Sequence, residues 1–165
     1  ILVDGVVRKD HKFPVGLMDV VSIPALKKHY RVIPVKNGLD LIEISEKEAK
    51  IKPLKVIRKQ MVKGGRIQIT THDGRNFLDV EAKVGDTIVV ELDGKAKVRE
   101  RLPMEPGMLA LVIKGKYAGR MGKIISVGRT VRLEGNKQVF EAPKRSVMVI
   151  GKDKPVVKLY EGTED

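Results

Sequence analysis

Gly115, Gly119 and Gly122 lie among Lys114, Lys116, Arg120 and Lys123 in the stretch "VIKGKYAGRMGKII", residues 112–125, which contains no acid. Glycines let backbone amides come close to an anion, and the cations around them neutralise its charge, so the chemistry on offer is phosphate gripping. Two nucleotide-enzyme signatures can be checked by spacing. A phosphate-binding loop requires Gly, four residues, then Gly-Lys followed by Ser or Thr; here Gly122-Lys123 is followed by Ile124, and Tyr117 holds the first glycine position. The dinucleotide fingerprint also fails, because the glycine spacing is wrong and no helix is expected to follow.

Other reactive constellations are thin. His72-Asp73 could serve as an acid–base pair, but Asp73-Gly74 reads better as a hairpin turn whose side chain caps the backbone. The four serines stand in no nucleophile context, there is no cysteine, and His11, His29 and His72 are far apart, so no thiol chemistry and no metal-ligand cluster is expected. An enzyme acting on a small phosphorylated substrate is the minority reading.

The charge balance points to a polyanion. Thirty-three Lys and Arg against 21 Asp and Glu give a net charge of +12. Between Glu48 and Asp73 there are seven cations (Lys50, Lys52, Lys55, Arg58, Lys59, Lys63, Arg66) and no acid. A second acid-free tract runs from Glu105 to Glu134 and contains Lys114, Lys116, Arg120, Lys123, Arg129 and Arg132. Each tract alone could be a solvated face; two in one basic chain favour RNA or DNA. Aromatic residues make up only 4% of the chain, so base stacking is not expected to be the main mode of contact. No apolar run reaches membrane-spanning length, and basic charge alone does not choose between nucleic acid and an acidic membrane surface.

These residues must be held by short strands. Apolar alternations recur every eight to twelve residues, separated by turn residues, which predicts a mostly β chain. Asp4-Gly5, Asn37-Gly38, Asp73-Gly74 and Asp93-Gly94 predict four hairpins. Ser45 and Glu48, at capping-box spacing in "SEKEAK", predict one short helix. In "RIQITT" Ile67 and Ile69 should face a core, with Arg66, Gln68 and Thr70 pointing away. In "KAKVRER" Ala96 and Val98 should point inward and Lys95, Lys97, Arg99 and Arg101 should form one outer cationic stripe; the same charges would also protect an edge strand from aggregation. Val112, Ile113, Ile124, Ile125 and Val127 are expected in a core. The two prolines and the glycine of "RLPMEPG", residues 101–107, predict a boundary, and Pro24 a softer one.

From Pro106 onward, "MLALVI", the three glycines and the strand "KIISV" resemble the KOW motif, a barrel element of ribosomal proteins and transcription elongation factors; Ala118 stands where many members carry Lys. Over nearly the whole chain, "VDGVVRKDHKFPVGLMDVVSI", "KVIRKQMVKGGRIQITTHDGRNFL", "VGDTIVVEL", the KOW region and "SVMVIGKDKP" follow the order found in small-subunit ribosomal protein four of the archaeal and eukaryotic type. The resemblance implies three modules: the closing hairpin of an amino-terminal RNA-binding module (1–24), a central small β domain (25–102), and an SH3-like KOW barrel with a tail (103–165). It implies that the helical half of the first module belongs to a part of the protein upstream of Ile1. The short acidic tail "EGTED" favours an archaeal member.

What the resemblance implies for function is a non-enzymatic, cytoplasmic, ribosome-associated protein. Its partners would be small-subunit rRNA and neighbouring ribosomal proteins, with no membrane, no cofactor and no small-molecule substrate. The expected RNA-binding residues are Arg8, Lys9 and Lys12 in the first hairpin; Arg58, Lys63, Arg66 and Arg75 in the central domain; and Lys114, Lys116, Arg120, Lys123, Arg129 and Arg132 in the barrel. Gly115 and Gly119 would shape a backbone cradle there, and Lys144 and Arg145 are second-rank candidates. A transcription-type KOW protein is the other nucleic-acid reading.

Overall fold

A computed structural model describes residues 1–7, 16–92 and 94–159; Arg8, Lys9, Lys12, Asp93 and the tail 160–165 lie outside the described residues. The chain is built of strands, as expected, in three five-stranded antiparallel sheets. Sheet one contains β1 (Leu2–Val3), β2 (Val6–Val7), β3 (Val20–Ile23), β4 (Lys28–Val35) and β5 (Gly38–Ile44), in the order β2-β1-β3-β4-β5. Sheet two contains β6 (Ile51–Val62), β7 (Arg66–Thr71), β8 (Asn76–Leu78), β9 (Thr87–Glu91) and β10 (Lys97–Leu102), in the order β10-β9-β6-β7-β8. Sheet three contains β11 (Leu109–Val112), β12 (Met121–Val127), β13 (Thr130–Gly135), β14 (Gln138–Pro143) and β15 (Val147–Gly151), in the order β14-β13-β12-β11-β15. Two bulges bend this third sheet into a half-barrel around its own apolar side chains.

Three of the expected hairpin turns form: Asp4-Gly5 joins β1 to β2, Asn37-Gly38 joins β4 to β5, and Asp73-Gly74 lies between β7 and β8; β9 and β10 also pair, while Asp93 of the fourth expected turn lies outside the described residues. The expected helix at "SEKEAK" is a single 3-10 turn, Glu48–Lys50. The Glu48 amide does donate to Ser45 Oγ (3.2 Å), but β6 begins at Ile51, and the Glu48 carboxylate turns inward toward Arg31 and the Lys158 amide. Tertiary partners here override a local helix signal.

The expected stripe on "KAKVRER" is broken by a bulge between Val98 and Glu100. Directly opposed residues of an antiparallel pair share a face. Lys97 lies opposite Glu91 and Arg101 opposite Ile88, and positions 88 and 91 face opposite sides of β9, so Lys97 and Arg101 are on different faces. β10 is an edge strand of sheet two, which leaves edge protection as the role its charges serve. Ile125 is a second correction: it falls in the bulge between Ile124 and Ser126 and is 41% exposed, whereas Val112 and Ile124 are buried as expected. Ile69 is fully buried and Ile67 half-buried, in agreement with the alternation of β7.

Three cores hold the sheets together, and some strands serve two of them. On β11 and β15, Ala110, Val112, Val147 and Val149 fill the half-barrel, while Leu109, Leu111, Met148 and Ile150 pack against Met18, Val20, Ile33, Ile42 and Ile44 of the first sheet and its approach. On β9, Val89 joins the barrel core, and Ile88 and Val90 join Leu54, Val56 and Ile69 under sheet two. Full burial of each such side chain contributes about 1.5–3 kcal/mol, so these seams are strong.

Candidate nucleic-acid interface

The long β6–β7 hairpin carries the first candidate surface. Its inner half is buried, but every residue from Ile57 to Met61 is exposed, as are Lys63 to Arg66 at the tip. Register places Arg58 opposite Thr70, Gln60 opposite Gln68, and Val62 opposite Arg66, while Gln68 and Thr70 lie opposite Leu78 and Asn76 on β8. Arg58, Gln60, Arg66, Gln68, Thr70 and Asn76 therefore share one face, mostly polar, with Val62 and Leu78 also on it. Asn76 Oδ1 accepts from the Thr70 hydroxyl at 2.7 Å, which fixes part of that face, and Lys63 lies at the turn. Arg66 pairs with exposed Asp79, which raises its pKa by hydrogen bonding and charge.

Arg75 has a different position. It makes ion pairs with Asp4 (3.0 Å) and Asp73 (2.9 Å), within a cluster centred on the buried Lys52 ammonium. Lys52 Nζ donates to Asp4 and Asp19 at 2.7 Å and to Asp73 at 3.0 Å. Burial alone would lower the Lys52 pKa, but the three carboxylates outweigh it and raise it. Burial likewise pushes Asp73 up, and its bonds from Thr71 and Lys52 hold it below the usual carboxylate range. The Asp73 carboxylate also accepts from the Thr71 hydroxyl (2.6 Å) and the Arg75 amide (3.2 Å), so it caps its own turn as expected. His72 is held by the Lys55 amide, which donates to Nδ1, and Nε2 lies 3.0 Å from the Leu17 carbonyl; burial lowers its pKa.

Two more cations are interior. Arg31 is fully buried and donates to the carbonyls of Met18, Glu48 and Ile51; burial brings its pKa down to about 10. Lys55 donates to the carbonyls of Lys144 and Val147, and burial, with Lys114 and Lys144 nearby, lowers it to about 8. Of the seven cations in the first tract, Lys52 and Lys55 are thus inside the protein and serve its fold. They stand in the same acid-free tract as the surface charges, and their partners lie up to 92 residues away, so nothing local marks them as interior.

The glycine loop is the second candidate surface. Gly119 has φ +91°, and a Cβ there would lie 3.2 Å from the Pro34 carbonyl oxygen, so glycine allows the loop to touch the β4–β5 hairpin. Gly122 is needed for a different reason: a Cβ would come within 2.8 Å of the Glu134 oxygen, where β12 crosses close to β13. Lys114, Gly115 and Lys116 are exposed at the loop tip. Arg120 is held firmly, its guanidinium 4.8 Å from the Phe140 ring centroid, 5.3 Å from that of Tyr117, and donating to Gln138 at 2.8 Å.

The remaining barrel candidates are spread out. Lys123 is exposed on β12 opposite Glu134, Arg132 pairs with exposed Glu141 at 3.2 Å, and Arg129 is exposed in the turn between β12 and β13. Arg145 is exposed and Lys144 half-buried in the 3-10 turn Lys144–Ser146. Among the described residues no group of His, Asp or Glu is placed to hold a metal ion, and no helix is long and apolar enough to cross a membrane.

A family of ribosomal proteins fits this strand-built, cation-bearing surface. Residues 26–96 match the family described as Ribosomal family S4e. The chain is 43% identical over 165 residues to the small ribosomal subunit protein eS4 of Korarchaeum cryptofilum, covering 96% of this chain and 70% of the relative. It is 42% identical to that of Methanothermobacter thermautotrophicus, covering 98% and 71%. The crystal structure of the 30S ribosomal protein S4e from Thermoplasma acidophilum superposes with a TM-score of 0.82 at 32% identity, covering 96% of this chain and 83% of that one. The chain belongs to the ribosomal S4e family, and it is accordingly a ribosomal protein of archaeal type and not an enzyme.

Proposed function

We propose that this chain is a structural constituent of the small ribosomal subunit that binds folded rRNA through the β6–β7 hairpin and the KOW-type glycine loop. The relatives carry the name of a small-subunit protein, which supports the assembly, the ribosome-associated cytoplasmic location, and rRNA and ribosomal proteins as neighbours. The three-module division at 24/25 and 102/103 belongs to the same reading. The observation that carries it is the sorting of cations: Arg31, Lys52 and Lys55 are consumed inside, whereas Arg58, Lys63, Arg66, Lys114 and Lys116 are left on solvent-facing hairpin and loop tips. Folded RNA offers a shallow minor groove, 2′-hydroxyls and packed phosphates, which a rigid β surface with cations at its turns can recognise by shape.

The test is filter binding to small-subunit rRNA and to an unrelated duplex over a salt series, together with incorporation of variants into subunits. Replacing Arg58, Lys63 and Arg66, or Lys114, Lys116 and Lys123, by glutamine is expected to weaken rRNA binding and reduce incorporation. Undiminished incorporation of both variants would overturn the proposal.

A further inference from the structure

The glycine loop is seated on the tip of the β4–β5 hairpin. A Cβ at position 119 would lie 3.2 Å from the Pro34 carbonyl oxygen and 3.4 Å from the Val35 Cα. Beside this seat a cleft of about 570 Å³ opens between the two elements, with Lys36 on the hairpin wall and Lys114 and Lys116 on the loop wall. Lys36 lies in the two-residue turn that joins Val35 to its partner Gly38, and all three lysines are exposed.

Nothing in the fold accounts for three ammonium groups at one cleft. No acid lines it. Among the described residues none of the three lysines makes an ion pair, whereas Arg66 and Arg132 are matched by Asp79 and Glu141. Like charges around a concave surface repel one another and concentrate positive potential there, so the arrangement burdens the free chain and favours a bound anion. The walls are also stiff. The Gly119 amide donates to the Val112 carbonyl at 2.8 Å and the Arg120 amide to the Tyr117 carbonyl at 2.9 Å, while the hairpin is paired from His29 with Ile44 to Val35 with Gly38. Little backbone has to be ordered when a ligand arrives.

We infer that this cleft clasps one RNA backbone strand, with Lys36 holding a phosphate from the hairpin side and Lys114 and Lys116 holding its neighbours from the loop side. The contact is to phosphate and reads no base. This deepens the rRNA-binding reading and rests on it: Lys36 becomes a binding residue, contributed by the first sheet to a site that the barrel alone would leave open on one side. Its place in the sequence hides it, because Lys36 stands outside both acid-free tracts and four residues before Asp40.

Filter binding of the intact chain to small-subunit rRNA over a salt series tests the clasp. Lys36→Gln is expected to weaken binding about three- to fivefold and to lower the slope of log K against log salt by roughly 0.7–0.9, as Lys116→Gln does. Lys36→Arg keeps the charge and should bind as the parent does, and Lys97→Gln, at an exposed position of the edge strand β10, should change neither quantity. Because both walls grip the same strand, the double variant K36Q/K116Q should lose less in log K than the sum of the single losses. Parent-like affinity and slope in K36Q beside weakened binding in K116Q would overturn the clasp and leave the rRNA reading standing. So would additive losses in the double variant, or a drop in K36R or K97Q as large as that in K36Q. Reduced subunit incorporation of K36Q with its rRNA affinity unchanged would show that an acidic protein segment fills the cleft, and would also overturn the inference. Absence of rRNA binding by the parent chain would sink both readings.

Discussion

The Lys55 ammonium, on β6, donates a hydrogen bond of 2.7 Å to the carbonyl oxygen of Lys144 in the turn leading into β15. It thereby ties sheet two to the barrel, with a second bond to the Val147 carbonyl. A neutral amine retains two N–H donors and satisfies both carbonyls, so burial can lower the pKa without breaking the tie.

That arrangement sets a pH window. The native Lys55 pKa of about 8 lies below its ordinary 10.5, so between those values the unfolded chain binds more protons than the folded one, and stability rises with pH. Below about pH 8 the full penalty of a buried charge is present. Relative to Lys55→Met, the parent chain should gain on the order of 2–3 kcal/mol between pH 8 and 10.5, read by urea denaturation at each pH. Lys55→Gln, which keeps a donor, should show the same pH-independence as K55M. A constant difference between parent and variants across the window would contradict the assignment.

Lys52 makes the opposite prediction. Removing it leaves Asp4, Asp19 and Asp73 with their strongest partner gone, so Lys52→Met should destabilise the fold by roughly 3–5 kcal/mol at neutral pH. Because Asp73 is held below its ordinary 3.8, its contribution is present above that pH and lost as pH falls through the lower native value. Asp73→Asn should therefore raise the pH at which acid unfolding begins, followed by circular dichroism.

The two kinds of glycine in the loop can be separated by alanine. Gly115 faces open space and has φ +89°, so Gly115→Ala should cost about 1–2 kcal/mol from backbone strain alone. Gly122→Ala places a Cβ against the Glu134 backbone at 2.8 Å, and should cost more, about 2–4 kcal/mol, because two strands must part. Thermal melting of both variants checks the order.

Arg58 and Arg75 should behave differently in RNA binding. Arg58→Gln removes an exposed charge, and the slope of log K against log salt should fall by roughly 0.7–0.9. Arg75→Gln breaks ion pairs to Asp4 and Asp73, so its main effect should be lower stability with the salt slope nearly unchanged. Filter binding beside urea denaturation distinguishes the two.

The strands and their turns were legible because alternation and Asp-Gly or Asn-Gly pairs are local signals. The turn at Asn136-Lys137, with φ of 50° and 63°, was not, since lysine is a poor marker for that conformation. The bulges at Val98/Glu100 and Ile124/Ser126 were equally hidden: they depend on pairing with β9 and β13, and each reversed the side on which a residue was expected. The inward cations were illegible for a related reason. Nothing within a few residues of Lys52 announces that Asp4, Asp19 and Asp73 converge on it, 48, 33 and 21 positions away.

Because β11 and β15 present one side chain to the half-barrel and the next to sheet one, neither neighbour can come away without baring the other's oily seam to water. β9 imposes the same condition on sheet two. Scanning calorimetry of the intact chain should accordingly give a single endotherm, with calorimetric and van't Hoff enthalpies equal, and a fragment cut between the second and third sheets should clump instead of melting.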